Sequence, residues 1–314
     1  MPPKILVING PTASGKTRLA VELALRRNGE VVSSDSMQIY RRMDIGTAKP
    51  TEEEMRGVPH HMIDVADPEE DFSVARYVDM AAKCVDDILS RGKLPILAGG
   101  TGLYIDSLLS GRTFAAFSPV SPLRGELEER MQREGGAALL AELGKIDPEA
   151  AARLHPNDEK RIIRALEVYL TTGKTITQHN AETQAIPPRY AALTISLSFE
   201  RREDMWERID QRVDVMMADG LVEEVRSLLD SGVPDKCTAM QAIGYKEMAA
   251  ALRGDGDVLA AAEEIKLRSR QYAKRQLTWF RRNSAAKWLT WGPNPDFEAA
   301  CQRSTEYMEE FGLV

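Results

Sequence analysis

Gly10-Pro-Thr-Ala-Ser-Gly-Lys16-Thr17 sets a lysine and a hydroxyl behind two glycines in the spacing G-x-x-x-x-G-K-[ST]. The chemistry this spacing serves is phosphate binding. Gly10 and Gly15 let backbone N–H groups converge on an anion, and a helix starting at the lysine adds the positive end of its dipole. Lys16 brings an ammonium to the terminal phosphate, and Thr17 offers a hydroxyl to a Mg²⁺ ion. Gly10, Pro11, Thr12, Ala13, Ser14, Gly15, Lys16 and Thr17 are therefore the expected diphosphate-binding set. Which phosphate compound they hold is left open, since ATP is only the most frequent owner of a diphosphate.

Asp35 follows the apolar run EVVSS, at the strand end where open α/β folds bind ligands. It is read as a general base that removes a proton from an attacking acceptor; a cap for the next turn is the plainer role. A second run, LPILAG, ends in Gly99-Gly100-Thr101-Gly102. Nucleoside-triphosphate hydrolases often carry an Asp here for the metal shell, whereas these glycines would let the backbone approach a ligand closely. Thr101 adds one hydroxyl, or caps the following helix. Arg208 and Arg212 share a helix face at i, i+4 and either pair with surface acids or converge on a leaving diphosphate. His60 and His61 are neighbours on a strand and point to opposite faces, which disfavours a metal. Trp279 and Phe280 fit core packing better than base stacking.

The elements that would position these residues alternate. KILVIN, EVVSS, HHMIDV and LPILAG read as strands. Lys16 to Arg27, Ser73 to Ser90 and Gly102 to Leu109 read as helices. Strands apolar at every position, not every second one, indicate a parallel sheet covered on both faces. Between Phe114 and Pro188 there is no convincing strand, and YAALTISLS then rejoins the sheet, with helices dominating from Glu203 onward. The expected fold is α/β, a P-loop NTPase-like parallel sheet covered by helices with an all-helical insertion. Residues 1–113 and 190–314 form the catalytic core, and residues 114–189 form the insertion.

Composition narrows the class. The 314 residues are 43% hydrophobic and 28% charged with a net charge of −7, which fits a soluble globular protein and excludes disorder or a coiled-coil rod. The sequence has no apolar run long enough to span a bilayer and opens without a signal pattern, so the cytosol is expected. Cys84, Cys237 and Cys301 are too few and too scattered for a disulfide framework or a zinc site. Eight basic residues and no acid lie from Lys266 to Lys287, a candidate polyanion surface if it is not simply a solvated face.

GPTASGKT at 10–17, SSDSMQIYRRMDIGTAKP at 33–50 and VPHHMIDVADP at 58–68 together resemble the tRNA dimethylallyltransferase family. LAGGTGLYIDSLL at 97–109, NDEKRIIRALEVYLTTGKT at 157–175, QAIGYKEM at 241–248 and AKRQLTWFRR at 273–282 continue the likeness in order. The resemblance implies transfer of a dimethylallyl group from dimethylallyl diphosphate to N6 of the adenosine 3′ of certain tRNA anticodons, with Mg²⁺ as cofactor and diphosphate released. It places the donor on the phosphate loop, with Arg212 on the leaving group and Thr17 on Mg²⁺. Asp35 and Thr101 become catalytic. Asp35, Ser36, Met37, Gln38 and Thr101 surround the extruded adenine. Arg124, Lys160, Arg161, Arg164, Gln241, Gly244 and Lys246 would touch the tRNA anticodon stem-loop. Lys160 stands where the family pattern leads one to expect Gln, and no Cys/His finger follows the core, which implies a bacterial-type enzyme. No protein partner is indicated, and a monomer is expected.

Other readings share the loop and Asp35. An adenylate isopentenyltransferase would do the same chemistry on a free nucleotide, but leaves the KRIIR cluster without a purpose. A small-molecule kinase lacks its Asp on LPILAGG and an Arg-rich lid. A non-catalytic RNA-binding module that senses nucleotide would be indifferent to loss of the Asp35 carboxylate.

Overall fold

A computed structural model describes residues 2–111, 122–254 and 256–313. It divides into two compact units, Met1–Leu109 with Arg189–Val314, and Ser110–Pro188. The boundary expected at residues 113 and 114 lies outside the described residues.

In the first unit β1 (Lys4–Asn9), β2 (Gly29–Ser33), β3 (His60–His61), β4 (Leu94–Gly99), β5 (Ala191–Phe199) and β6 (Lys287–Trp291) form one sheet. The order is β3-β2-β4-β1-β5-β6, with every neighbouring pair parallel. Successive side chains of a strand face opposite ways, so Ile5 and Val7 enter one apolar core and Leu6 and Ile8 the other. Both faces are dry, which is why β1 is apolar throughout. The sheet and its helical cover are as the sequence leads one to expect.

Two strand readings change. HHMIDV yields only the two-residue β3, because Met62 (φ 64°) and Asp64 (φ 54°) take left-handed conformations that break an extended run. The helical reading after Glu203 misses β6. KWLTW buries only Trp291, as an edge strand with one flank unpaired, and so lacks the continuous apolar run that marks its neighbours.

The helices of this unit before residue 110 are α1 (Lys16–Arg26), α2 (Glu52–Met55), α3 (Val74–Ser90) and α4 (Gly102–Leu109). The second unit is helical throughout its described part: α5 (Pro122–Glu134), α6 (Gly136–Ile146), α7 (Pro148–Ala151), α8 (Glu159–Thr172) and α9 (Ile176–Gln184). Its core joins Leu127, Met131, Leu139, Leu143, Ile162 and Leu166. The buried Asp147 caps α7 at Ala150 N–H and accepts from the Thr177 N–H and hydroxyl, tying α7 to α9. The first unit resumes with α10 (Arg202–Ala218), α11 (Leu221–Asp230), α12 (Tyr245–Arg253), α13 (Val258–Phe280) and α14 (Phe297–Phe311). Among the described residues no helix is long and apolar enough to cross a membrane.

Candidate active site

The phosphate loop leaves β1 and enters α1 with Gly15 at φ 81°, a left-handed turn suited to glycine. No side chain caps α1, so the amides of its first turn keep their capacity for an anion. Ala13 is held at φ 61°, an uncommon conformation for a residue with a Cβ, and its carbonyl accepts from Arg208 Nε at 3.3 Å. Lys16 Nζ donates to the Pro11 carbonyl at 2.7 Å, an internal contact that a phosphate oxygen would replace. The Thr12 N–H is already committed, donating to Gln276 Oε1 at 2.9 Å. Of the eight expected loop residues, Pro11 and Thr12 thus serve the loop's shape with their backbones, while Thr12 also lines the cavity beside it.

The last strand and helix hold this loop from behind. Trp291 Nε1 donates to the Ser14 carbonyl at 2.8 Å. Phe297 leaves no room for a side chain at Gly15, where a Cβ would stand 2.6 Å from its Cζ, and Arg18 lies 4.2 Å over the same ring. Sequence reasoning did not reach this buttress, because nothing in KWLTW or in Phe297 marks a partner nearly 300 residues earlier.

A cavity of about 320 Å³ opens at the loop. Thr12, Asp35, Ser36 and Arg212 give it polar walls, and Met37, Ile209, Val213, Met216, Ile243 and Ile265 give it apolar ones. Ile209, Arg212, Val213 and Met216 recur at i, i+3, i+4 and i+7, so one stripe of α10 faces the cavity. Arg212 was one of two open readings in the sequence. It forms no ion pair with a surface acid among the described residues; it is half-buried, with Nη2 3.5 Å from the Ala48 carbonyl, and desolvation lowers its proton affinity while Asp35 raises it. Lys16 responds more strongly. Burial first, then the charge of Arg212, draw its ammonium from 10.5 down to about 7, with Asp35 pulling the other way.

Asp35 Oδ1 accepts the Met37 N–H at 2.9 Å, an Asx-turn that fixes the carboxylate at the cavity wall. Thr101 braces the same turn: its Oγ1 accepts the Ser36 N–H at 3.0 Å and lies 3.3 Å from Ser36 Oγ. Gln38 is not part of the cavity lining. Its Oε1 accepts from Ser33 Oγ at 3.2 Å, and its Nε2 donates to the Ala48 carbonyl at 3.1 Å, shaping the loop that carries Thr47 into the cavity. Gln241 and Gly244 line the cavity and Lys246 is exposed beyond it.

The glycines that end and follow β4 play a different part from the expected approach to a ligand. A Cβ at Gly99 would strike Ser34, one at Gly100 would strike Gln276, and one at Gly102 would strike Trp279. The absent side chains make room for protein, not for substrate. Gln276 is the residue that sequence reasoning missed most completely: its amide was hidden among the basic residues of AKRQLTWFRR.

The basic stripe is also less free than its composition suggests. Lys266 pairs with Asp214 at 2.6 Å, Arg268 with Glu264 at 2.6 Å, and Arg270 with Asp210 at 2.6 Å. With Lys287 lying 3.6 Å from Glu310, acids elsewhere in the sequence neutralise half of it, and the Asp210 and Asp214 pairs pin α13 against α10. Among the described residues Lys274, Arg275, Arg281 and Arg282 form no ion pair, Arg282 lying over the Trp279 ring, and Arg275 reaches the cavity. In the second unit Arg124 and Arg164 both approach the buried Glu167, at 3.5 and 2.8 Å. Arg161 lies 3.7 Å from Asp158, and Lys160 is exposed on the same helix.

A phosphate loop with a carboxylate and a half-buried arginine beside it can stabilise a leaving diphosphate and take up a proton, and comparison with known proteins places the chain among such enzymes. Residues 38–283 match the family model described as IPP transferase. The tRNA dimethylallyltransferase of Acetivibrio thermocellus is 47% identical over 309 residues, covering 98% of each chain. The crystal structure of the tRNA isopentenylpyrophosphate transferase from Bacillus halodurans superposes with a TM-score of 0.72 at 43% identity, covering 98% of this chain and 97% of that one. A eukaryotic dimethylallyltransferase crystallised acting on tRNA gives a TM-score of 0.83 at 30% identity, over 98% of this chain and 80% of its own. With likeness running through loop, sheet and helices alike, the chain belongs to the IPP transferase family.

Proposed function

We propose that the protein transfers a dimethylallyl group from dimethylallyl diphosphate to N6 of the adenosine 3′ of the anticodon (position 37) in tRNA, releasing diphosphate. The observation that carries this reading is Asp35 facing Arg212 in one cavity beside the phosphate loop, with Lys16 of that loop near enough to feel the charge of both. The N6–C1 bond forms, the C1–O bond to diphosphate breaks, and the N6 proton passes to Asp35. A carboxylate is too weak a base to strip a neutral amine beforehand, so deprotonation accompanies attack. Lys16, Arg212 and the open amides of α1 take up charge on the leaving diphosphate. Only interactions that strengthen as that charge grows speed the reaction.

Among the described residues no three His, Cys, Asp or Glu side chains gather to hold a metal. That fits Mg²⁺ carried by diphosphate oxygens and water with a single protein hydroxyl, that of Thr17, since Mg²⁺ sheds water reluctantly. Bound there it would neutralise diphosphate charge. The target base must leave the anticodon-loop stack, at about a few kcal/mol. Ser36, Met37, Thr101, Gln241 and Gly244 would receive it, and Gln38 would act through the loop it braces. Lys160 and Arg161 would meet tRNA phosphates, with Arg124 and Arg164 oriented by Glu167.

The test is mass spectrometry of an unmodified tRNA with an A-rich anticodon loop after incubation with the protein, Mg²⁺ and dimethylallyl diphosphate. One added dimethylallyl group on the adenosine 3′ of the anticodon supports the proposal. Modification of AMP in a parallel tube, with tRNA untouched, would make it a free-nucleotide enzyme. ATP consumption with neither acceptor modified would make it a kinase.

A further inference from the structure

Gln276 is 5% exposed, and its amide is divided between two loops. Oε1 accepts the Thr12 N–H at 2.9 Å, and Nε2 donates to the Gly100 carbonyl at 2.9 Å. The ladder between β1 and β4 stops at Asn9 opposite Gly99, so beyond it the two loops have no strand pairing to hold them together. On the β2 side the backbone continues the link, with the Thr101 N–H donating to the Ser34 carbonyl at 3.1 Å. On the β1 side Gln276 makes it. The loops it joins carry the two halves of the reaction: the phosphate loop holds the leaving group, and the turn after β4 carries Thr101, which braces Ser36 next to Asp35. Tyr272, one turn earlier on α13, lines the cavity beside them.

We infer that Gln276 is a positioning residue: by clamping Thr12 to Gly100 it fixes the separation between the donor's departing oxygen and the acceptor at Asp35 and Thr101, and so keeps water from capturing the allylic carbon. The inference rests on the transfer reaction proposed above. Misplacement of reacting groups by about 1 Å costs roughly 100-fold in rate. An acceptor that arrives badly leaves C1 to the next nucleophile. Water then forms the C1–O bond as the bond to diphosphate breaks and gives its proton to solvent, so dimethylallyl alcohol and diphosphate leave without prenylated tRNA.

Gln276→Met keeps the length of the side chain and removes both hydrogen bonds. With radiolabelled donor, kcat for tRNA prenylation should fall roughly 10- to 100-fold while the donor KM stays within about threefold. The ratio of dimethylallyl alcohol to prenylated tRNA should rise about tenfold or more. Gln276→Glu supplies a second reading. As a neutral acid it can accept from Thr12 and donate to Gly100; once ionised it sets an oxygen against the Gly100 carbonyl. Its coupling should therefore be near wild type at low pH and fail as pH rises, on a limb the wild type lacks. Gln276→Met with wild-type kcat and alcohol ratio, a loss confined to donor KM, or Gln276→Glu without the added limb would overturn the inference. Wild-type protein run in parallel keeps the two readings apart: no prenylated tRNA from it overturns the reaction, whereas coupled turnover by Gln276→Met overturns the positioning role alone.

Discussion

The Arg212 guanidinium bears on the Lys16 ammonium of the phosphate loop: burial first, and then that neighbouring charge, bring the lysine to about 7. A bound diphosphate reverses the balance by placing several negative charges beside both cations. Donor binding above neutral pH should therefore take up about one proton at pH 8 and almost none at pH 6, and donor affinity should weaken as pH rises through 7. Calorimetry at pH 8 in Tris and in HEPES, which differ in ionisation heat, reads this directly. Identical heats in the two buffers would show that Lys16 is already charged in the empty site.

The same shift has a sign for stability. Between about 7 and 10.5 the unfolded chain keeps the Lys16 proton that the folded chain has released. Unfolding therefore takes up a proton in that window, and this contribution makes the free protein more stable as pH rises through it. Lys16→Met should flatten the slope of urea midpoint against pH from 7 to 10; an unchanged slope would assign it to other groups.

Asp35 uses Oδ1 for the Met37 N–H, a bond that an asparagine oxygen can keep. Asp35→Asn should hold the turn and lose the proton acceptor. Turnover should drop about 10²- to 10⁴-fold, with tRNA affinity changed by less than about threefold. Filter binding and single-turnover prenylation separate the two. Turnover that survives would move the base elsewhere.

What the sequence makes legible here follows distance along the chain. The phosphate loop, β1 and α1 are one local signal, and the apolar runs of β2, β4 and β5 declare a sheet covered on both sides. Asp35 is readable because a strand end is a known place for chemistry. Gln276, Trp291 and Phe297 are not, since their meaning lies in Thr12, Ser14 and Gly15 across the whole chain. For the same reason the stripe from Lys266 to Lys287 reads as free charge, although Asp210 and Asp214 neutralise part of it from another helix.

That pairing makes two residues of α13 predict differently. Arg275 forms no ion pair among the described residues and reaches the cavity, whereas Lys266 is 14% exposed along its side chain and bound to Asp214. Arg275→Ala should lower the slope of log affinity for tRNA against log salt by about one. Lys266→Ala should leave that slope alone. Equal effects from both would return the whole stripe to the polyanion surface.

Glu224 shows how a wall of the cavity is held. Its carboxylate accepts the N–H groups of Asp44 and Ile45 at 2.8 Å and of Gly46 at 3.0 Å, and the Tyr245 hydroxyl as well. Thr47 and Ala48 follow, one lining the cavity and the other facing Arg212. Glu224→Gln exchanges an acceptor for an amide that points donors at donors. It should cost about 1–3 kcal/mol of stability by denaturant titration and raise the donor KM through Arg212. Wild-type KM with lowered stability would confine Glu224 to the fold.

The phosphate loop depends in the same way on the end of the chain. Trp291 is 4% exposed, and its indole N–H is the partner of the Ser14 carbonyl. Its ring packs 5.0 Å from that of Phe297, which in turn covers Gly15. Trp291→Phe retains most of the apolar contact and leaves the carbonyl buried without its donor. Such an orphaned acceptor costs about 1–3 kcal/mol, and the loop can recover part of it only by turning Ser14 toward water. That rotation would disturb the amides that follow, so donor KM should rise while tRNA affinity holds, because the indole lies behind the loop and away from the cavity. Equilibrium unfolding in urea and donor titration at fixed tRNA measure the two effects. A loss of stability with unchanged donor KM would mean that Gly15, Lys16 and the first turn of α1 keep their shape without the indole.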